Sequence, residues 1–386
     1  MAGTGRGRPL SPTVLLVNDV ASVGGGQTVM LQVLQMLVDA GFRAHVACPA
    51  GHLADRSEEL GATWHPFSFT ERRLLTARRR LPRPQALAAR VAEGRALAAL
   101  AAEVGADVVH TGALVPHVDT HAAGRRLRAR TLWHVNQVSP PYLFAGPLPA
   151  RIVGVSRAAL APAEWRPGAV GRSAVVPNGI DVGRFRPPSA AERARAREEL
   201  GLGDELTIVT VARLEPLKGV DVVIRAAVAS GVSPTLIVVG DATGYSGGDE
   251  YAQGLRKLAA DVGLDVRFLG SRPDVAEVLW AADLFVFMSR WEAFGLVLAE
   301  AAAAGLPVVA SDTGGCADVV VDGVTGVLVA PDDVTGCGAA IAGLASDVDR
   351  RSQLGGAGRR HVVERFDIAR FGAGMLPHYL ELAGIA

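Results

Sequence analysis

The 386-residue chain lacks several features that define common protein classes. Its three cysteines are widely spaced and odd in number, which indicates a reducing compartment and disfavours a disulfide framework or a zinc site. The 39 basic and 39 acidic residues give zero formal net charge, so the basic footprint of nucleic-acid binding is missing. Only Lys218 and Lys257 are lysines, which leaves two candidates for Schiff-base chemistry.

Long apolar runs are also missing from the sequence. No stretch of 18 consecutive apolar residues occurs, and the N-terminal residues lack the apolar segment of a secretory signal. We therefore expect a cytoplasmic protein. The content of 49% apolar and 20% charged residues is typical of globular proteins, and the length favours two domains.

Short β-branched runs alternate with helical patterns, which predicts a parallel α/β architecture. The clearest helical repeat extends from Gln27 to Ala40, and Gly41 supplies its stop signal. Many strand candidates are apolar throughout, as in a sheet covered on both faces. The predicted strands are residues 13–18, 44–48, 107–110, 131–135, 151–156, 174–177, 206–212, 235–240, 266–270, 283–288, 307–311 and 326–329.

A cluster of proline, glycine and asparagine before residue 189 marks the predicted boundary between two doubly wound, Rossmann-like domains. We assign residues 1–12 to a flexible N-terminus, 13–180 to the first domain, 181–365 to the second and 366–386 to a C-terminal helix. Two such domains would face each other across a cleft and bind ligands at the carboxyl ends of their strands.

The most informative segment reads SRWEAFGLVLAEAAAAGLPVVASDTGGCADVVVDGVTG. It places Glu292 and Glu300 eight positions apart, with Phe294, Gly295 and Leu296 between them. A helix that begins near Gly295 would offer free N–H groups and the positive end of its dipole to an anion. An anion site with a carboxylate on each side suits a nucleotide-sugar, which has hydroxyls at both ends and phosphates in the middle.

A second interpretation of this segment needs no ligand. Ser289 and Glu292 have the spacing of a capping box, in which Glu292 would accept a hydrogen bond from the backbone of Ser289. Glu300 would then be an ordinary solvated helix residue. The sequence spacing alone leaves this interpretation open.

The whole segment, with Gly314 and Gly315 in fixed order before DGVTG, resembles the donor site of the retaining glycosyltransferases of family 4, the glycogen-synthase-like or group 1 enzymes. The segment VPNGIDVGRFRPP resembles the joint between the two domains of that family. The resemblance covers nearly all of the chain beyond residue 12. It implies the GT-B fold, with a C-terminal helix that crosses back onto the first domain.

Arg213 and Lys218 follow a predicted strand and precede a helix. A guanidinium fork and an ammonium group suit a pyrophosphate, whereas the alternative is a pair of surface cations. Their spacing, R-x(4)-K-G, resembles the diphosphate-binding pair of the family. The resemblance therefore makes both residues catalytic candidates that neutralise the leaving group.

The resemblance implies further roles in the donor site. Glu292, a catalytic candidate, would hold the sugar hydroxyls together with the backbone amides of residues 294–296, and Glu300 would hold the ribose. Arg272 lies in a base-binding corner that reads uracil in the family; the alternative is a solvent-exposed side chain. The remaining donor-binding candidates are Gly25, Gly26, Gly240, Gly270, Phe294, Gly295 and Leu296.

The glycine triplet before Gln27 follows the first predicted strand. Glycines let backbone N–H groups approach an anion closely, although a loop without a ligand fits the sequence equally well. The triplet resembles the GG-x-[EQ] loop of the family, which lies beside the donor phosphate and the acceptor. Gln27 stands where many members have glutamate, and is an acceptor-binding candidate.

Two histidines and two aspartates in the first domain are further candidates. His134 resembles a histidine that the family places near the donor sugar and its β-phosphate, and is a catalytic candidate. His110, Asp19 and Asp119 are acceptor-binding candidates, the aspartates because they suit an amino-bearing small molecule. A structural role is the alternative for His110.

Two charged motifs lie outside the candidate site. The basic tract from Arg72 to Arg83 suggests weak peripheral contact with an anionic membrane, with a solvated loop as the alternative. Asp347 and Asp349 match the metal-binding D-x-D of a different glycosyltransferase fold. They lie in a polar loop between predicted helices, so we interpret them as structural and predict no metal and no other cofactor.

These observations predict a retaining glycosyltransferase, a monomer or homodimer, that transfers a sugar from a UDP-sugar to a small polar acceptor, specifically an aminocyclitol of the aminoglycoside-antibiotic kind. A lipid-linked or polysaccharide acceptor is the alternative. A nucleotide-sugar epimerase, a pyridoxal-dependent phosphorylase and a non-catalytic nucleotide-sugar sensor also fit the pattern. An NAD-dependent dehydrogenase is disfavoured because no GxGxxG follows the first strand.

Overall fold

The computed structural model describes residues 11–22, 24–69, 84–112, 130–137, 148–164, 167–243 and 247–385. Asp119 and the tract from Arg72 to Arg83 lie outside these ranges. The chain divides into two compact units. The first comprises Met1–Pro177 and Phe371–Ala386, and the second comprises Asn178–Arg370.

A seven-stranded parallel sheet forms the centre of the first unit. Its strands are β1 (Thr13–Val17), β2 (Arg43–Cys48), β3 (Thr63–Pro66), β4 (Val108–Thr111), β5 (Thr131–Val135), β6 (Arg151–Gly154) and β7 (Ser173–Val175). They lie in the order β3-β2-β1-β4-β5-β6-β7. The order reverses between β1 and β4, as in a doubly wound fold, where ligands bind beyond the carboxyl ends of the strands at the reversal.

The second unit repeats this plan with a six-stranded parallel sheet. Its strands are β8 (Thr207–Val211), β9 (Thr235–Val239), β10 (Val266–Gly270), β11 (Leu284–Phe287), β12 (Val308–Ser311) and β13 (Val327–Val329). They lie in the order β10-β9-β8-β11-β12-β13, so the reversal falls between β8 and β11. Both of these strands are almost wholly buried, which explains their continuous apolar sequence.

Helices connect the strands in both units. No described helix combines the length and the hydropathy that crossing a bilayer requires. The described helices are α1 (Gly25–Asp39), α2 (His52–Glu59), α3 (Pro84–Glu103), α4 (Arg157–Glu164), α5 (Ala190–Glu199), α6 (Val220–Ala229), α7 (Gly248–Val262), α8 (Val275–Ala281), α9 (Leu296–Ala303), α10 (Cys316–Val319), α11 (Val334–Ser346), α12 (Val348–Phe366) and α13 (Ile368–Ala383).

The first aspartate of the D-x-D motif is a helix cap. The Asp347 carboxylate accepts a hydrogen bond of 2.8 Å from the backbone N–H of Arg350 and begins α12. A side chain in this position satisfies a backbone donor that has no partner within the helix. The structural interpretation therefore accounts for Asp347.

The predicted strands agree with the structure within two residues at each end, but β3 is absent from the prediction. This strand lies at the edge of the first sheet, and its side chains are exposed or only partly buried. An edge strand does not need an apolar run, and it tolerates a proline such as Pro66. The apolar-run criterion therefore detects the central strands and overlooks this one.

The C-terminal helix α13 packs onto the first unit, as predicted. The buried Tyr379 ring lies edge-on to Phe42, with ring centroids 6.4 Å apart. The buried Phe371 ring stacks on His134 at a centroid distance of 6.3 Å. These aromatic contacts bury the apolar face of the helix, which is the main source of stability for such an element.

A glycine lets the segment after β8 approach the end of β11. Gly219 has a φ of 62°, and a Cβ atom there would lie 1.9 Å from the carbonyl oxygen of Met288. Both the left-handed backbone and the close approach therefore require glycine. Lys218 directly precedes Gly219, so the contact also fixes the position of Lys218 relative to β11.

We predict that Gly219→Ala destabilises the second unit far more than Gly231→Ala. Gly231 has a similar φ of 71°, but within the described part of the chain a Cβ atom there would have no neighbour within 4 Å. The control therefore costs only the backbone strain of about 1–2 kcal/mol, whereas Gly219→Ala adds an overpacking cost of about 1–3 kcal/mol. Urea-induced unfolding of both variants measures the difference, and equal losses of stability would contradict the packing argument.

Candidate functional site

Two charged residues of the second unit follow the strands at which the sheet order reverses. Lys218 ends the short 3₁₀ turn Pro216–Lys218 after β8, and Glu292 lies in the loop after β11. Since β8 and β11 are parallel neighbours, both loops emerge at the same edge of the sheet. This edge is where doubly wound folds bind their ligands.

Lys218 and Glu292 form an ion pair. The Lys218 Nζ atom lies 2.7 Å from Glu292 Oε2, and the two side chains are 17% and 16% exposed. The second carboxylate oxygen, Oε1, accepts a hydrogen bond of 3.1 Å from the backbone N–H of Ala293. An ammonium group has three N–H donors, so a group that gives one to Glu292 keeps donors for a further anion.

The capping-box interpretation is wrong. The Ser289 hydroxyl oxygen lies 2.8 Å from the carbonyl oxygen of Trp291 and 3.2 Å from that of Leu217, and its single proton can bond to either. The Glu292 carboxylate bonds to Lys218 and to the backbone of Ala293, and α9 begins four residues later, at Leu296. Ser289 therefore ties the β11 loop to the β8 loop, and Glu292 is free of a capping role.

The paired glycines after β12 hold the backbone of Glu292. A Cβ atom on Gly314 would lie 1.9 Å from the Glu292 carbonyl oxygen, and the N–H of Gly315 donates to that oxygen at 2.9 Å. Gly314 also has a φ of 53°. Side chains at these positions would push the Glu292 loop away, so the glycine pair has a geometric cause.

The helix α9 begins beside Glu292, as the sequence predicts. Gly295 is its N-cap residue, with a φ of 92°, and as a glycine it has no side chain with which to cap the helix. The first-turn N–H groups of any helix lack acceptors within the helix and attract anions. The buried Phe294 ring packs edge-on against Phe366 at 5.4 Å, so Phe294 can offer a ligand only its backbone.

Glu300 lies on α9, one residue after the buried Ala299, and is partly exposed. Burial of its carboxyl group raises the pKa of Glu300 to about 7, and the positive charge of Arg184 opposes this rise. The protonated and ionised forms are thus close in free energy near neutral pH. A ligand that donates hydrogen bonds would favour the ionised carboxylate.

The predicted cation pair is divided between two acids. Arg213 Nη2 lies 2.8 Å from Glu215 Oε1, and the Arg213 side chain is 56% exposed, whereas Lys218 bonds to Glu292. Arg272 donates through Nε to Asp274 Oδ1 at 2.8 Å, and this hydrogen bond raises the pKa of Arg272. Each of the three cations therefore already has its own carboxylate.

Gly240 and Gly270, two of the donor-binding candidates, lie at the ends of β9 and β10 and contact each other. The N–H of Gly240 donates to the carbonyl oxygen of Gly270 at 2.7 Å. A Cβ atom on Gly240 would lie 2.0 Å from the Ala212 carbonyl oxygen, directly before Arg213. The close approach of these strand ends is a structural reason for the glycine at position 240.

In the first unit, the glycine triplet opens a helix rather than a loop. α1 begins at Gly25, two residues earlier than predicted, so Gly25 and Gly26 form its first turn. The Gln27 side chain accepts a hydrogen bond from the N–H of Gly24 at 3.2 Å and donates to Asn18 Oδ1 at 3.4 Å. Gln27 thus stabilises the start of its own helix. Asp19, directly after Asn18, is partly exposed.

His110 and His134 lie in the interior of the first unit. Their rings pack edge-on at 5.5 Å, and His110 Nδ1 bonds to the Tyr379 hydroxyl. Burial lowers the pKa of His134 to about 4, and burial together with His134 lowers the pKa of His110 far below its ordinary value. Both imidazoles are therefore neutral at physiological pH and supply no positive charge to a phosphate.

Two charged residues near the ion pair are absent from the sequence prediction. Glu215 is almost wholly buried and holds Arg213. Arg290 follows β11 and pairs with Asp221 and Asp332. Glu215 lies only two positions from Arg213, so a local charge pair was the available signal for it. Arg290 lies 69 positions from Asp221, so the sequence gives no local signal for that pair.

The sequence matches two family descriptions. Residues 192–361 match "Glycosyl transferases group 1", and residues 23–184 match "Glycosyltransferase Family 4". The first match covers the loops that carry Lys218 and Glu292, and the second covers the glycine turn of α1. The two matches together span most of the chain.

Curated relatives include a D-inositol 3-phosphate glycosyltransferase of Nocardia farcinica, 38% identical over 53% of this chain and 46% of the relative. Another is a GDP-mannose-dependent α-(1-6)-phosphatidylinositol monomannoside mannosyltransferase of Mycolicibacterium smegmatis, 37% identical over 51% of this chain and 53% of the relative. The chain spans about half the length of the curated relatives it matches.

Solved structures share the fold. The Anabaena protein HepE in complex with UDP and glucose superposes with a TM-score of 0.80 and 22% identity, covering 95% of this chain and 98% of HepE. Identity at this level supports the fold alone. The chain belongs to the group 1 glycosyltransferases of the GT-B fold. The two family matches show this, and the repeated doubly wound sheets, the returning C-terminal helix and the shared fold agree with it.

Proposed function

We propose that the chain is a retaining glycosyltransferase that transfers a sugar from a nucleoside-diphosphate sugar to a hydroxyl group of a small polar acceptor. The observation that carries the proposal is the Lys218–Glu292 ion pair at the strand reversal of the second unit, directly before the free N-terminus of α9. Cation, carboxylate and helix N-terminus are the groups that a diphosphate attached to a polyhydroxylated ring requires.

The diphosphate would bind to Lys218 without breaking the ion pair. Glu292 uses one of the three ammonium donors, and the other two are available to phosphate oxygens. The first-turn N–H groups of α9 would add dipole stabilisation. Glu292 in turn keeps unused lone pairs on both carboxylate oxygens, which can accept hydrogen bonds from sugar hydroxyls.

Catalysis in this proposal is mainly stabilisation of the leaving group. The bond from the anomeric carbon to the phosphate oxygen breaks while the acceptor oxygen bonds to the same face of that carbon. The departing phosphate oxygen takes the acceptor proton, so retention of configuration needs no carboxylate nucleophile. Lys218 then neutralises the charge that develops on the nucleoside diphosphate, and the fixed site supplies orientation.

For the donor base we propose uracil. The support is the position of Gly270 and Arg272 at and just after the end of β10, where the resemblance implies a site for this base. A guanine nucleotide is the second candidate, because one relative is named as GDP-mannose-dependent. Calorimetric titration of the protein with UDP and with GDP distinguishes the two, and binding of neither would contradict the proposed donor site.

For the acceptor we propose a cyclitol. The aminocyclitol suggested by Asp19 and Asp119 and the inositol phosphate named in the relatives are both polyhydroxylated rings. A lipid-linked inositol is the second candidate, which the name of the mannosyltransferase supports. Mass spectrometry of products from UDP-glucose or GDP-mannose with myo-inositol phosphate, an aminocyclitol or phosphatidylinositol separates these acceptors.

We predict that Lys218→Ala lowers turnover by about tenfold to about a hundredfold, because a charge-assisted hydrogen bond contributes about 1.5–3 kcal/mol. Lys257→Ala is the matched control, since Lys257 is the only other lysine of the sequence. Its side chain is 76% exposed and pairs with Asp261 on the surface of α7. The rates of donor hydrolysis and of sugar transfer are measured for both variants. Equal rates for the two lysine variants would contradict the assigned role.

We predict that Glu300 makes nucleotide binding depend on pH. Because the pKa of Glu300 is raised to about 7, the ionised carboxylate that accepts ribose hydroxyls forms only as the pH rises through about 7. The affinity of the unaltered protein for UDP, divided by that of Glu300→Gln, should increase about tenfold between about pH 6 and pH 8.

The ratio of the two affinities removes the titration of UDP itself, which is common to both proteins. Calorimetric titrations at several pH values supply the ratio. A ratio that stays constant with pH, or that falls as the pH rises, would contradict a ribose-binding carboxylate at position 300. The catalytic role of Lys218 would be unaffected by that outcome.

A further inference from the structure

Arg290 connects several segments around the candidate site. It lies directly after Ser289 and two residues before Glu292. Its Nη1 and Nη2 atoms donate to the two carboxylate oxygens of Asp221, at 3.1 and 2.9 Å. Its Nε atom lies 2.8 Å from Asp332 Oδ1. A guanidinium group is suited to this arrangement because its planar fork can bind two carboxylates at once.

Arg290 also bonds to the turn that carries Lys218. Its backbone N–H donates to the carbonyl oxygen of Leu217 at 2.8 Å, and its Nη1 atom donates to the carbonyl oxygen of Pro216. The two acceptors are the residues immediately before Lys218. One residue therefore holds the loop that carries Glu292 against the turn that carries Lys218.

The second carboxylate partner has an unusual backbone. Among the residues that the structure describes, Asp332 is the only non-glycine residue with a positive φ, at 63°. Aspartate tolerates this conformation better than most residues, yet the conformation persists only where neighbouring contacts support it. The bond to Arg290 provides such support and brings the end of the β13 loop into the network.

The Asp221 carboxylate has two side-chain partners in this network, Arg290 and Tyr251. Burial alone would raise the pKa of Asp221, but hydrogen bonds from Arg290 and Tyr251, together with the charge of Arg290, lower it overall. The Tyr251 hydroxyl donates to Asp221 Oδ1 at 2.8 Å. Asp221 lies in the first turn of α6, so the network ties that helix to the same two loops.

We propose that Arg290 is a positioning residue that holds Lys218 and Glu292 in the geometry that binds a diphosphate. The proposal rests on the proposed function of the ion pair and names the part of the structure that fixes it. Because an ammonium must point accurately at the phosphates to stabilise them, loss of the Arg290 bonds weakens diphosphate binding through Lys218.

A double-mutant cycle between Arg290 and Lys218 tests this proposal. The affinity for UDP is measured by calorimetric titration for the unaltered protein, Arg290→Met, Lys218→Met and the double variant. Arg290→Met alone should weaken UDP binding about tenfold. In the Lys218→Met background the same change should weaken binding less than about twofold, since residues that act through one another are not additive.

Arg193→Met is the matched control. Arg193 also binds an aspartate and two carbonyl oxygens: its Nη2 atom donates to Asp283 at 2.8 Å, and its Nη1 atom to Trp280 and Ala282. Its side chain is 35% exposed, against 31% for Arg290. Asp283 precedes β11, whereas Arg290 follows it, so the control removes a similar network at the opposite end of the same strand. UDP affinity should not change.

Asp332→Asn provides a milder test in case Arg290→Met fails to fold. Asparagine also tolerates a positive φ, so the change removes the negative charge beside Nε and leaves the backbone conformation accessible. UDP binding should weaken about threefold, and this loss should disappear in the Lys218→Met background.

The outcomes distinguish the proposal from the function on which it rests. Unchanged UDP affinity in Arg290→Met, or equal losses with and without Lys218, would overturn the positioning role and leave the donor site intact. Two outcomes would overturn both the proposed use of a UDP-sugar and the positioning role. One is failure of the unaltered protein to bind UDP, and the other is normal UDP affinity in Lys218→Met.

Discussion

The ion pair between Lys218 and Glu292 joins residues 74 positions apart in the sequence. Both side chains are largely buried, so separation of the pair would leave a poorly solvated charge. The pair can form only because β8 and β11 are parallel neighbours that end at the same edge of the sheet. The α/β topology therefore determines where the charges meet, and the charges determine what that edge can bind.

Close backbone contacts make this geometry possible. Gly219 lets the β8 turn approach the end of β11, and Gly314 lets the loop after β12 approach the backbone of Glu292. Arg290 then links the same loops through its guanidinium group and its backbone. The glycines permit the close approach of these loops, and the charged network bonds the loops together there. Preorganisation of this kind is what electrostatic stabilisation of a leaving group requires.

The sequence predicted the central strands because their apolar runs reflect burial on both faces, and it missed β3 because an edge strand carries no such run. The resemblance and the glycine pattern also singled out Glu292 and Lys218, which the structure brings together. It did not identify Glu215 as the acid that holds Arg213, although the two residues are only two positions apart. It missed the Arg290 network because Arg290 and Asp221 meet only through tertiary contacts. The local start of α1 was misjudged because glycines are poor helix formers, although Gln27 stabilises the first turn there.

A crystal structure of the protein with UDP would show directly whether the ion pair receives a diphosphate. We expect phosphate oxygens within about 2.7–3.2 Å of Lys218 Nζ, the usual hydrogen-bond range, with the bond to Glu292 retained. We also expect ribose hydroxyls at the Glu300 carboxylate. A diphosphate bound at another edge of the sheet, with Lys218 bonded only to Glu292 and Glu300 without a ligand, would contradict the proposed donor site.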